Sequence, residues 1–156
     1  MDAKANYLTS AGEAGLRAEL KHLIEVRRPE LAQKLKVAVA QGDLKENADY
    51  HDAKEQLGFV EGRVRQLEAI LRDAVVVEAG VGNDEVRVGS TVVILEAGED
   101  ETEEYQIVGS AEANPRQRRI SLESPIGAAL LGKRQGRKIK VRTPDGIIKF
   151  EIVSVR

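Results

Sequence analysis

The chain has 156 residues, of which 42% are hydrophobic and 32% are charged, and its formal net charge is −2. This length allows one domain of ordinary size or two small ones. The slight negative charge argues against a free-standing DNA-binding protein, because such proteins neutralise phosphates with excess lysine and arginine. Aromatic residues make up only 3% of the chain, which disfavours nucleic-acid binding by base stacking.

The absence of cysteine excludes disulfide bonds and thiolate metal sites. The two histidines, His22 and His51, are expected to be exposed helix residues rather than metal ligands. The N-terminus lacks the apolar segment of a signal peptide, and no stretch approaches the roughly 18 apolar residues of a membrane span. We therefore expect a cytoplasmic protein with no membrane partner.

The first part of the chain has the apolar spacing of a helix that starts at Thr9 or Ser10. Ser10 and Glu13 fit a capping box, in which a hydroxyl and a carboxylate bind free backbone amides at the start of a helix. Pro29 interrupts the pattern and is expected to kink the helix, because the apolar stripe resumes in phase beyond it. Gly42 is predicted to end this helix.

A second helix is predicted after a short connection. Its apolar residues recur in steps of four and three, which is the spacing of a coiled-coil seam. The seam comprises Ala53, Leu57, Val60, Val64, Leu67 and Leu71. Because the connection is so short, the two helices are predicted to fold back as an antiparallel hairpin with a reach of about 30 Å.

The pattern changes near Val75, where the apolar period shortens toward two and β-branched residues multiply. Strands are predicted at residues 75–77, 91–95, 105–108, 120–122, 138–142 and 148–152. The acidic stretch 96–104 is predicted to be a hairpin loop, and residues 143–146 form a second turn signal.

One short helix is expected to interrupt these strands. Ser124 is suited to cap it, Pro125 fits its first position, and Gly132 ends it. The predicted fold class is therefore α+β, with an N-terminal antiparallel helical hairpin followed by a largely antiparallel sheet and one short helix. The predicted domains are residues 1–77 and 78–156.

An acidic loop of sequence Gly-Asp-Leu-Lys-Glu-Asn, residues 42–47, joins the two helices. Asp43 and Glu46 supply carboxylate oxygens, which are ligands that Mg²⁺ prefers. Two carboxylates alone bind this ion weakly, as expected of half a site that a partner completes, and two-metal phosphodiester cleavage uses shared ions of this kind. The same spacing also fits a helix cap with Asp in place of Ser, and from the pattern alone the cap is the favoured interpretation.

The segment 42–50 closely resembles the tip of the bacterial Gre transcript cleavage factors. Further matching motifs are Leu8-Thr9, Arg27-Arg28-Pro29-Glu30, Phe59, Glu61-Gly62-Arg63, Ile107-Val108-Gly109, Glu112-Ala113, Ile120-Ser121, Ser124-Pro125-Ile126 and Leu131-Gly132-Lys133. Because these motifs occur in the family's order along almost the whole chain, the resemblance is specific. It departs at Val39, where family members often have an arginine.

The resemblance implies an N-terminal coiled coil and an FKBP-like C-terminal domain. It also implies that the coiled coil enters the secondary channel of RNA polymerase, where the polymerase cleaves the 3′ end of a backtracked nascent RNA. By position, Asp43 would coordinate a Mg²⁺ ion shared with the polymerase, and Glu46 would help to hold that ion or orient the attacking water. Asn47 and Tyr50 would support the tip. No cofactor is expected on the isolated chain, and no small-molecule substrate.

The same resemblance places polymerase docking at Glu123, Ser124 and Pro125, although a plain helix cap explains these residues equally well. The predicted function is a transcription elongation factor that activates the nuclease activity of RNA polymerase and is not itself an enzyme. The alternative is a non-cleaving inhibitor or regulator that occupies the same channel. A proline isomerase or holdase acting through the second domain is a third option, and the scarcity of aromatic residues disfavours it.

A basic run follows the predicted short helix. It comprises Lys133, Arg134, Arg137, Lys138, Lys140 and Arg142. Such a run is typical of a nucleic-acid patch. However, Lys138 and Lys140 alternate with Ile139 and Val141, as in any strand with one solvent-facing side, and this plainer interpretation is favoured.

Overall fold

The computed structural model describes residues 5–78 and 84–156. Its helices are α1 (Ser10–His22), α2 (Arg28–Ala40), α3 (Ala48–Arg72) and α4 (Pro125–Leu130). Its strands are β1 (Asn6–Thr9), β2 (Ala74–Val77), β3 (Thr91–Glu96), β4 (Thr102–Val108), β5 (Arg119–Ser121), β6 (Lys138–Thr143) and β7 (Gly146–Val155). A π-helical turn, Leu23–Arg27, joins α1 to α2, and two 3₁₀ turns, Ser110–Glu112 and Pro115–Gln117, lie between β4 and β5.

The chain divides into two compact units, which do not follow the predicted boundary after residue 77. One unit, the hairpin, is Ala14–Asp73, and the other, the sheet unit, contains the described residues of Met1–Glu13 and Ala74–Arg156. Strand β1 pairs in parallel with β2, with Thr9 opposite Val77. The hairpin is therefore an insertion within the sheet unit. No strand is predicted at β1 from the sequence, because Asn6–Thr9 lacks the run of β-branched residues that marks the predicted strands.

Helices α2 and α3 form the predicted antiparallel hairpin. Leu31, Val60 and Val64 are its buried centre, and Leu20, Leu23, Ile24 and Leu57 pack around them. Ion pairs join Arg63 of α3 to Glu19 of α1 at 2.6 Å and Arg28 of α2 to Glu61 of α3 at 2.7 Å. The predicted seam is confirmed, and the 25 residues of α3 span about 37 Å at 1.5 Å per residue.

A π-helical turn precedes Pro29, and α2 begins at Arg28 with Pro29 in its first turn. The backbone amide of Arg28 donates to the carbonyl of Leu23, five residues earlier, and both Arg27 and Arg28 keep right-handed helical angles. Proline has no amide to donate and its ring clashes with the preceding turn of a regular α-helix. A widened turn immediately before Pro29 therefore lets the helix continue without a break.

The cap of α1 is Thr9 rather than the predicted Ser10. Because the helix begins at Ser10, the preceding residue has the capping position, and the Thr9 hydroxyl accepts a hydrogen bond from the Gly12 amide at 3.0 Å. The Thr9 amide and hydroxyl in turn donate to the Glu112 carboxylate at 2.7 and 2.6 Å. Glu112 is 6% exposed, so a buried carboxylate completes the first turn of α1.

The sheet unit contains a five-stranded sheet in the order β5-β4-β3-β7-β6. Only the β4–β5 pair is parallel. Its core comprises Val86, Val92, Ile94, Ile107, Leu130, Val141, Phe150 and Ile152. As predicted, the Ser124 hydroxyl caps α4 by accepting from the Gly127 amide at 3.0 Å, and Pro125 is the first helical residue. The predicted α+β fold class is confirmed.

Candidate functional site

The acidic loop, residues 42–47, connects α2 to α3 and will be called the tip. Gly42 has a φ of 124°, a backbone conformation that glycine adopts without steric cost, and it turns the chain out of α2. Residues 42–46 are all exposed, and Asn47 is half-buried. The side chains predicted to carry the chemistry therefore lie at the surface, where a partner can contact them.

The two carboxylates of the tip are not helix caps. Asp43 accepts a hydrogen bond from the Lys45 amide at 3.0 Å, which closes a small turn within the loop. Glu46 has no hydrogen-bond or ion-pair partner in the described part of the chain. The capping interpretation of this pair is wrong, because α3 begins only at Ala48 and a different residue occupies its cap.

That cap is Asn47, and its side chain also contacts the preceding helix. The Asn47 side-chain oxygen Oδ1 accepts from the Tyr50 backbone amide at 3.0 Å, which is the bond of an N-cap. Its side-chain amide donates to the Ala38 carbonyl in the last turn of α2 at 2.7 Å. One side chain thus satisfies free groups at the end of α2 and at the start of α3, and it fixes the length and shape of the tip.

Tyr50 lies in the first turn of α3, behind the tip. Its ring contacts that of His51 edge to face, with the ring centroids 5.4 Å apart, and the Lys54 ammonium is 5.8 Å from its centre. A His51 ring nitrogen lies 3.3 Å from the Lys45 carbonyl. These contacts pack the start of α3 against the loop, so the four predicted tip residues belong to one local structure.

The carboxylate oxygens of the tip are of the chemical type that Mg²⁺ prefers. One Asp43 oxygen is used by the Lys45 amide, which leaves the other oxygen and the whole Glu46 carboxylate for an ion. Within residues 5–78 and 84–156, no group of three or more His, Cys, Asp or Glu side chains could hold a metal ion. Oxygen ligands of this number match a Mg²⁺ ion whose remaining ligands come from elsewhere.

The residues predicted to dock on a partner lie in the sheet unit. Glu123 and Pro125 are exposed at the start of α4, and Ser124 between them is half-buried. The Glu123 carboxylate accepts from the Ser110 hydroxyl at 2.5 Å, and the Ser110 and Ser121 hydroxyls are 2.9 Å apart. The contact of Ser110 is not predicted, because no spacing in the sequence links Ser110 to Glu123, 13 positions further along the chain.

The chain combines a helical hairpin that carries an acidic tip with a small α+β domain in which the hairpin is inserted along the sequence. This combination defines the class of protein. A family described as "Transcription elongation factor, N-terminal" matches residues 6–76, and one described as "Transcription elongation factor, GreA/GreB, C-term" matches residues 81–156. The chain therefore belongs to the GreA/GreB family of transcription elongation factors. None of the helices described is long and apolar enough to cross a membrane.

The chain is similar to curated relatives over their full length. It is 48% identical to the transcription elongation factor GreA of Clostridium novyi (strain NT), over 99% of this chain and 98% of that protein. It is also 48% identical to GreA of Chloroflexus aurantiacus (strain ATCC 29366 / DSM 635 / J-10-fl), over 100% of both chains. These similarities confirm the predicted Gre family, with GreA as the member that the chain resembles, and they confirm the predicted function as a transcription elongation factor.

Solved structures are similar to the chain as well. The crystal structure of GreA factor homolog 1 (Gfh1) protein of Thermus thermophilus is 32% identical and matches 98% of this chain and 99% of that one, with a TM-score of 0.46. The GreA/GreB factor from Nitrosomonas europaea is 24% identical over 96% of this chain and 97% of that one, with a TM-score of 0.43.

Proposed function

We propose that this elongation factor binds RNA polymerase, inserts its hairpin into the secondary channel and stimulates cleavage of a backtracked nascent RNA at its 3′ end. The polymerase supplies the nuclease activity, and this chain supplies the tip. The observation that supports the proposal most directly is the state of Asp43 and Glu46. Neither carboxylate caps a helix and both are exposed, so they are available for chemistry in a partner.

The hairpin has the length and stiffness that such a delivery needs. Helix α3 spans about 37 Å from its 25 residues. The Arg63–Glu19 pair is bidentate, with distances of 2.6 and 2.9 Å, and this hydrogen bonding raises the pKa of Arg63 above its ordinary value. Because the pair is partly exposed it adds little stability, but its fork geometry fixes the alignment of α1 with α3.

The tip residues have separate tasks in this mechanism. Asp43 would hold a shared Mg²⁺ ion through its free carboxylate oxygen, and Glu46 would help to hold the ion or orient the attacking water. When bound, such an ion activates water and stabilises the leaving oxygen of a phosphodiester. Asn47 keeps both carboxylates in place through its bonds to the two helices, and Tyr50 supports the first turn of α3.

Docking on the polymerase is assigned to the start of α4. Glu123 and Pro125 are exposed there, and the Ser124 cap holds the turn between them in one conformation. The bond from the Ser110 hydroxyl orients the Glu123 carboxylate. A rigid, exposed turn of this kind is suited to a specific contact, because little conformational entropy is lost when it binds.

The proposal is tested with Asp43→Asn on backtracked elongation complexes in the presence of Mg²⁺. Asparagine keeps an oxygen that accepts from the Lys45 amide, so the turn of the tip is preserved while the negative charge is lost. We expect stimulated cleavage to fall at least about tenfold, as for other losses at metal centres, while binding to the polymerase is retained.

A matched control is Glu68→Gln, which removes the same charge from an exposed position of α3 away from the tip. The control should cleave like the unaltered protein. Full cleavage stimulation by Asp43→Asn would refute the metal role of the tip. A fall in RNA synthesis without any cleavage by the unaltered protein would instead support the non-cleaving regulator.

A further inference from the structure

A groove rich in cations lies beside β6, the edge strand of the five-stranded sheet. It has a volume of about 460 Å³ and lies between α4 and β6. Its lining comprises Lys133, Arg137, Lys138 and Lys140 together with Ala128, Ala129, Leu131 and Ile139. A second hollow of about 280 Å³ shares Lys133 and Arg137 with the groove and adds Arg134. We call the two hollows together the basic groove.

The four cations of the larger hollow form no ion pair with an anionic side chain of residues 5–78 or 84–156. Their side chains are exposed and form no ion pair or hydrogen bond with any residue that the structure describes. In the pairing of β6 with β7, Lys140 lies directly opposite Lys149. Like charges in opposed positions of a sheet repel one another and destabilise it, so a bound anion would reduce the repulsion at this position.

Acidic residues lie near Lys138 and Lys140 of the basic groove but form no ion pair with them among the described residues. Glu151 lies opposite Lys138 in the pairing of β6 with β7, and Glu96, Glu99 and Glu151 line a different hollow that Lys138 and Lys140 also border. None of these glutamates forms an ion pair with either lysine among the described residues. Arg134, in the smaller hollow, forms an ion pair with Asp84 at 3.8 Å.

Strand alternation does not account for this arrangement. It explains why Lys138 and Lys140 share one face of β6. It does not explain Lys133 and Arg137, which lie in the connection before β6 and yet line the same groove. Cations from a connection and from a strand thus line one groove. This convergence argues against the plainer interpretation favoured by the sequence, which is an ordinary strand with one solvent-facing side.

We propose that the basic groove binds the phosphate backbone of single-stranded RNA without regard to sequence. The choice of RNA rests on the proposed function, because backtracking releases a single-stranded 3′ segment of transcript. Lysines are the main cations here, and they are depleted in protein–protein interfaces but bind phosphate readily. This composition favours a nucleic acid over an acidic protein as the occupant.

The shape of the groove favours a single strand over a duplex. A concave site of a few hundred cubic ångströms can enclose parts of one strand, whereas a double helix would contact only its edges. The groove contains no aromatic residue on which a base could stack, and the small side chains of Ala128 and Ala129 offer no base-specific hydrogen bonds. Binding would therefore depend on charge and not on sequence.

The test measures binding of a fluorescent single-stranded RNA oligonucleotide to the full-length chain by fluorescence anisotropy over a range of salt concentrations. The test variant replaces Lys133, Arg137, Lys138 and Lys140 by alanine. The matched control replaces four exposed hairpin cations, Lys21, Lys34, Lys36 and Arg65, so both variants have the same net charge. All eight residues are exposed, and circular dichroism should show that both variants fold.

We expect the groove variant to bind RNA at least about tenfold more weakly than the control, and its log–log salt slope to decrease in magnitude by about 2.8, or 0.7 for each cation removed. Equal losses in the two variants would overturn the proposal. So would equal binding of a duplex, or stronger competition by a polyglutamate peptide than by unlabelled RNA, which would indicate an acidic protein partner. Asp43→Asn should bind RNA normally, so failure of this proposal is distinguishable from failure of the proposed function.

Discussion

Replacing Gly12 by alanine tests the buried contact between the first turn of α1 and Glu112. A β-carbon at position 12 would lie 1.9 Å from the carboxyl carbon of Glu112, far inside van der Waals contact. Glu112 is 6% exposed, so it cannot move aside into solvent without displacing its neighbours. The added methyl group should therefore push the carboxylate away from Thr9, with loss of the hydrogen bonds at 2.7 and 2.6 Å.

The size of the effect follows from these two bonds. Each hydrogen bond to a charged group contributes about 1.5–3 kcal/mol. Alanine offsets part of the loss, because it is favoured over glycine in a helix by roughly 0.5–1 kcal/mol. We expect the free energy of unfolding of Gly12→Ala to fall by about 2–5 kcal/mol, measured by urea unfolding with far-ultraviolet circular dichroism.

Gly15 provides the matched control within the same helix. A β-carbon at this position would have no atom within 4 Å, so Gly15→Ala should stabilise the protein by about 0.5–1 kcal/mol. A Glu112→Ala background provides the second control, since Gly12→Ala should cost nothing once the carboxylate is absent. An equal cost of Gly12→Ala in both backgrounds, or a cost below about 1 kcal/mol in the unaltered chain, would refute the reasoning.

Two further outcomes are expected. Asn47→Ala should lower the free energy of unfolding by about 1–2 kcal/mol, because the bonds to Ala38 and Tyr50 are both lost. Asn47→Asp keeps the acceptor, so its free energy of unfolding should lie between those of Asn47→Ala and the unaltered chain, and equal stability of Asn47→Ala and the unaltered chain would contradict the role of this residue. Burial, and to a lesser extent the hydrogen bond to Glu103, raises the pKa of Tyr105 above its ordinary value of 10. The contribution of the Tyr105 hydroxyl to the free energy of unfolding should therefore be constant below pH 10 and be lost as the pH rises toward the pKa in the folded state. Tyr105→Phe should abolish that pH dependence, and an ultraviolet titration that places Tyr105 at or below 10 would contradict it.

The sequence predicts those parts of the fold in which a period runs long enough to be read. The seam of α3 repeats over several turns, so its helix and its buried face are both predicted correctly. The turn at residues 143–146 is predicted because few residues suit such positions. Strand β1 has only four residues, and its partner β2 lies beyond the whole hairpin, so no local pattern indicates the pairing.

The site is predicted unevenly for a related reason. The sequence places Asp43 and Glu46 at the turn between two helices, but it assigns them a capping pattern, because Asp and Asn are both common caps and spacing does not choose between them. What decides is a tertiary contact, since only Asn47 reaches the Ala38 carbonyl while it caps α3. The sequence also shows the cations of the basic groove as one run, but it does not show that those before β6 line the same groove as those within it.

The bond between Thr9 and Glu112 has a consequence for the order of folding during synthesis. Its two residues are 103 positions apart, and at a translation rate of about 5–20 residues per second they are made on the order of 5–20 s apart. All seam contacts of the hairpin lie within Ala14–Asp73, so the hairpin can form while the first turn of α1 still lacks its carboxylate. On the ribosome, the first turn of α1 is therefore among the first segments to be made, but its hydrogen bonds to Glu112 are among the last to form.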